Sequence, residues 1–78
     1  MSKNNLPNEN PDIKVKSLAK AITILECFSS QKPSLGISEL AAITGYNKAT
    51  VYNIVSPFTT LGYLSQDSVT QRYSLGLK

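Results

Sequence analysis

The sequence predicts a small, mainly α domain closed by a β-hairpin: three helices, then two short strands. Three observations lead there. Apolar residues recur at three- and four-residue spacing in three stretches between Ser17 and Leu61. Stop signals separate those stretches, with Pro33 after the first, Gly45 after the second and Gly62 after the third. Beyond Gly62 the pattern changes to tyrosine-bearing runs on either side of a polar connection. With 78 residues, the chain can bury one modest core but cannot wall off a deep substrate cavity.

Residues 1–14 read as a disordered tail and residues 15–78 as the folded domain. The run Asn4-Asn5-Leu6-Pro7-Asn8-Glu9-Asn10-Pro11-Asp12 offers too little apolar surface to offset the cost of ordering it. It has neither the basic start nor the apolar run of a secretory signal. No stretch of the chain approaches the roughly 20 apolar residues of a membrane span. A cytoplasmic protein without membrane contact is expected.

The first helix is expected from Ser17, its N-cap, with Leu18, Ala21, Ile22, Leu25 and Phe28 on the inner face. Ile24 and Cys27 lie to one side, as a second core contact or as an apolar shoulder for self-association. The second helix is short, capped by Ser38 and ended by Gly45. The third starts from Asn47 as cap and turns Val51, Ile54, Val55, Phe58 and Leu61 inward. The strands are Tyr63–Gln66 and Gln71–Leu75, joined by Asp67-Ser68-Val69-Thr70.

Composition limits the chemistry. Lys plus Arg number 8 and Asp plus Glu 5, for a net charge of +3, with no His, no Trp and one Cys. A lone cysteine builds no disulfide framework, and a chain without histidine lacks the usual zinc ligand and the commonest general base. The sequence therefore predicts no enzyme, no metal site and no cofactor. The basic excess is consistent with an acidic partner. Cys27 reads as a small apolar side chain.

The second and third helices meet the steric demands of a helix-turn-helix over about residues 38–56. Ala41 is small where the helices cross, Gly45 tolerates a left-handed turn, and Val51 anchors the third helix on the second. Leu40 and Ile54 complete the packing. At 100° per residue, with Val51 inward, Ala49, Asn53 and Ser56 point away, Lys48 and Tyr52 flank them, and Thr50 lies on the opposite edge. This face holds small and hydrogen-bonding groups and no acid. Asn can pair bidentately with adenine, Ala can touch a thymine methyl, and Lys can meet guanine or phosphate. A major-groove reading helix is therefore expected. The alternative is a winged helix that binds protein and not DNA.

Several segments occur together in order: Ser17-Leu18-Ala19-Lys20-Ala21, Ile37-Ser38-Glu39-Leu40-Ala41, Lys48-Ala49-Thr50-Val51-Tyr52, Leu61-Gly62-Tyr63-Leu64 and Arg72-Tyr73-Ser74-Leu75-Gly76. This order resembles the N-terminal winged helix-turn-helix domain of the IclR family of bacterial transcriptional regulators, from Val15 to Lys78. The resemblance implies three helices plus a wing at about residues 63–75, and sequence-specific binding to double-stranded operator DNA as a homodimer. It also implies a small-molecule effector sensed by a C-terminal domain that these 78 residues do not include. By position, Ser38 and Thr50 would meet phosphates, and Lys48, Ala49, Tyr52 and Asn53 would face the groove; Asn47 and Ser56 are also expected among the DNA-binding residues. Arg72 would sit at the wing.

Three departures from the family pattern stand out. Asn53 replaces the usual Arg, Gln71 rather than Gly precedes Arg72, and Pro57 lies within the third helix. Proline withholds an N–H from the Asn53 carbonyl and crowds it, at about 3 kcal/mol in a regular helix. The helix either kinks there, which the unbroken apolar stripe favours, or ends near Val55 with Pro57 opening a new turn. Tyr46 in the turn either packs or reaches a phosphate.

Overall fold

A computed structural model describes residues 11–76 of the chain. Three helices come first in it, α1 (Pro11–Glu26), α2 (Ile37–Thr44) and α3 (Lys48–Leu61). Three short strands complete it: β1 (Ser34–Leu35) between α1 and α2, then β2 (Leu64–Gln66) and β3 (Tyr73–Leu75). The strands form one antiparallel sheet in the order β1-β3-β2. The expected order of helix, helix, helix, hairpin is present, with one strand added.

α1 starts earlier than expected. Pro11 opens it and Ser17 lies inside it, so residues 11–14 belong to a helix and not to a tail. Proline suits a first helical position because the N–H it lacks would have no partner there. The rest of the expected tail, residues 1–10, lies outside the described residues. The inner face of α1 also differs. Ile24 is fully buried and Phe28 nearly so, while Leu18 and Ile22 are 62% and 45% exposed. Ile24 is thus a core residue and no shoulder for self-association. Cys27 is half-buried beside it, with its Sγ–H donating to the Thr23 carbonyl at 3.3 Å. Burial pushes the Cys27 thiol up from its ordinary range, as befits an inert side chain.

α2 is capped two residues earlier than Ser38. Gly36 is the N-cap, and the Glu39 carboxylate reaches back to accept its N–H at 2.8 Å. Ser38 is an exposed residue of the first turn. At the other end Gly45 takes φ +81° and donates to the Ala41 carbonyl at 2.9 Å, the left-handed cap the sequence predicted. Asn47 caps α3 as expected, its Oδ1 accepting from the Thr50 N–H at 2.7 Å. α3 then runs unbroken through Pro57 to Leu61, so it does not end near Val55. Leu61, expected inside, is 58% exposed.

The core joins all six elements: Ile24, Phe28, Leu35, Leu40, Val51, Val55, Leu64 and Tyr73. Burying each large apolar side chain contributes about 1.5–3 kcal/mol before entropy is counted. β1 supplies Leu35 to this core, paired with Tyr73 of β3. β2 pairs Leu64 with Leu75 and Gln66 with Tyr73. The β2–β3 pairing continues past Leu64 and Leu75, with the Gly76 N–H donating to the Tyr63 carbonyl at 2.8 Å. The chains approach so closely there that a Cβ on Gly76 would collide with the Gly62 carbonyl.

Candidate nucleic-acid interface

α3 lies across α2 through the buried Leu40 and Val51, which leaves one side of α3 in solvent. Lys48, Ala49, Tyr52 and Asn53 are all exposed on it. Thr50 and Ser56 are half-buried at its margins. Asn47 is exposed, but its Oδ1 is used in the cap, so its amide NH2 is the group left over. Tyr46, whose role the sequence left open, packs against the core below the Lys20 ammonium, 5.5 Å from its ring centre.

An open groove of about 490 Å³ separates the start of α2 from the wing. Ser38 and Glu39 of α2, Tyr52 of α3, and Gln66, Gln71 and Arg72 of the hairpin line it. The fold thus gathers Ser38, Tyr52 and Arg72, three expected site residues from separate elements. Lys48, Ala49 and Asn53 share α3 with Tyr52 but do not line the groove. Gln66 and Gln71 are not among the expected site residues, although Gln71 stands out in the sequence as a departure in the wing. Burial pushes the Tyr73 phenol at the groove's edge up from its usual range, and the nearby Tyr52 phenol adds to this.

The wing turn is built on Asp67. Its Oδ1 accepts the Val69 N–H at 2.8 Å and the Thr70 N–H at 3.4 Å. The Asp67 N–H and the Arg72 carbonyl close the loop at 2.9 Å. These backbone donors, Val69 foremost, hold the Asp67 carboxyl below the usual carboxylate range. Gln71, the departure from the family's usual glycine, takes φ +66°. The wing is therefore turned in the left-handed region even without glycine, and Gln71 carries the strain of it. Val69 stands at the tip, 87% exposed.

Arg72 lines the groove and is tied to the neighbouring elements. Its Nε–H donates to Ser34 Oγ at 3.1 Å and an Nη2–H to the Ser34 carbonyl at 2.9 Å. Its Nη1 meets Glu39 Oε1 at 2.9 Å. The Gly36 N–H and, after it, Arg72 hold the Glu39 carboxyl below its usual range. Among the described residues no group of three or more His, Cys, Asp or Glu side chains could hold a metal, and no helix is long and apolar enough to cross a membrane.

A helix-turn-helix flanked by a three-stranded wing, with a polar helix face turned to solvent, defines a winged helix-turn-helix DNA-binding domain. Comparison with known proteins narrows this class. Residues 17–68 match the IclR helix-turn-helix domain. Over 64 residues the chain is 42% identical to the transcriptional regulator KipR of Bacillus subtilis, covering 82% of this chain and 25% of that protein. It is 35% identical over 71 residues to the regulator KdgR of Escherichia coli, covering 91% of this chain and 26% of that protein. An IclR-family regulator from Brucella abortus superposes with a TM-score of 0.78 at 35% identity, covering 80% of this chain and 24% of the other. The chain belongs to the IclR family of transcriptional regulators, a family of DNA-binding proteins and not of enzymes. It spans about a quarter of the length of the curated relatives it matches.

Proposed function

We propose that α3 enters the major groove of operator DNA and reads bases through Asn53, Ala49 and Tyr52. Lys48 and the helix starts at Ser38, Asn47 and Thr50 hold the backbone, and Ser56 borders the reading face. The observation that carries this reading is the exposed side of α3, which presents hydrogen-bonding and small groups and no acid. Asn53 offers an acceptor and a donor that match the N6 and N7 edge of adenine, and Ala49 suits a thymine methyl. A half-site containing A·T pairs follows from these side chains.

The regulator works as a homodimer in the cytoplasm, each copy reading one half-site, with the half-sites about 34 Å or a multiple apart. A small-molecule effector acts through a C-terminal domain outside these 78 residues. The resemblance to the family and the greater length of the relatives support both points. A single copy has few cations to offer phosphates, with Lys48 the one on α3. Its binding is therefore weak and steeply salt-dependent, with log K falling by about 0.9 per phosphate contact per log unit of salt.

Fluorescence anisotropy of a labelled random-sequence duplex, titrated with the chain at two salt concentrations, tests the reading. Binding at low salt that falls away at higher salt is expected. Absence of binding even at low salt would turn the domain into a protein-interaction module.

A further inference from the structure

Arg72 is the only arginine in the sequence, and the resemblance assigns it to DNA. Its surroundings suggest different work. Three of its five N–H donors are taken by protein groups, two by Ser34 of β1 and one by Glu39 in the first turn of α2, while the side chain stays 40% exposed. Glu39 uses the same Oε1 to accept the Gly36 N–H that opens α2. One planar guanidinium therefore joins the base of the wing, the added strand and the start of the helix-turn-helix. A lysine could not reproduce this, because it has no rigid fork of donors. Glu39 is informative too. A carboxylate lining a groove that faces a polyanion weakens binding by charge alone, yet here it is the partner that fixes Arg72.

We propose that Arg72 and Glu39 are positioning residues for DNA recognition: their bridge through Ser34 sets the wing at its working angle to α3, and neither grips phosphate. This rests on the DNA-reading role of α3. In an electrostatic view, losing Arg72 weakens binding and losing Glu39 strengthens it. In the bridge view both weaken it, and the two losses do not add.

The 78-residue chain with Arg72→Ala, Arg72→Lys, Glu39→Gln and the double change Arg72→Ala/Glu39→Gln provides the test. Affinity is measured against a duplex recovered by the unmodified chain from a random-sequence pool, over a range of salt. Each single variant is expected to bind roughly tenfold more weakly, the scale of one charge-assisted hydrogen bond. The double variant should match the weaker single one, and Arg72→Ala should keep the salt slope of the unmodified chain. A slope lower by about 0.9 in Arg72→Ala would mark a phosphate contact and overturn the proposal. So would tighter binding by Glu39→Gln, or wild-type behaviour of Arg72→Lys. Amide hydrogen exchange of the free chain reads the bridge without DNA. Arg72→Ala and Glu39→Gln should speed exchange at Gly36, Asp67 and Gln71, while Lys48→Ala should not. Unchanged exchange at those amides would also defeat the proposal. A chain that recovers no duplex but shows the exchange change would sink the DNA reading and leave the bridge standing.

Discussion

Asn53 and Gln71 show how much a single side chain decides in this domain. Asn53 stands exposed in the middle of the reading face, where the family usually has Arg. Replacing it with Ala should reduce discrimination at one base pair by about 1–3 kcal/mol while leaving non-specific binding nearly unchanged. Competition between duplexes that differ at one position measures this, and an equal fall in specific and non-specific affinity would refute base reading by Asn53. Gln71 is a different kind of case. Its φ of +66° suits glycine, and its side chain returns little, since its amide hydrogen bonds to Gln66 and to the Ser68 carbonyl are exposed. Gln71→Gly should stabilise the domain by about 0.5 kcal/mol, and so raise Tm by roughly 2–4 °C in a thermal melt.

Among the elements, α3 departs most clearly from local preference. Pro57 is exposed in the interior of an unbroken helix and leaves the Asn53 carbonyl without its usual donor. Pro57→Ala should stabilise the chain by about 2 kcal/mol, the helix penalty less the entropy that proline removes from the unfolded chain. Urea unfolding would show this as a higher midpoint at unchanged slope. α2, α3 and the hairpin were legible in the sequence because glycines at Gly45 and Gly62 and the cap at Asn47 mark their ends. β1 was not, since a strand of two residues has no period to detect. The Gly36 cap was hidden because the capping group belongs to Glu39, three residues on. The inner face of α1 was misread for another reason. Leu18, Ile22 and Leu25 make as good a stripe as Ala21, Ile24 and Phe28, and only packing against α3 and the sheet decides between them. The exposed face of α3 followed directly from the position of Val51, but the groove beside it did not. It depends on where the wing comes to rest.

The molecule as a whole is held together at two places by carboxylates that work in their ionised form. Asp67 orders the wing turn and Glu39 ties α2 to Arg72. Both have pKa values lowered in the folded state. Their contribution to stability is therefore complete above the ordinary carboxylate range and is lost as pH falls through the lowered folded values. Thermal melts should show a Tm that is level near neutrality and declines in acid. In Asp67→Asn and in Glu39→Gln that decline should be shallower, and an undiminished acid decline in both would show that other groups cause it.

The small strand β1 also bears on how this domain comes to exist. Arg72 and Ser34 are 38 positions apart in the chain, and β3 cannot fill its second edge until that long loop has closed. Each helix can form from local contacts, whereas the central strand needs both neighbours in place. Contact separation alone therefore favours the helices over the wing as the earlier part to form. During synthesis, the reading helix can be complete before the surface that aims it exists.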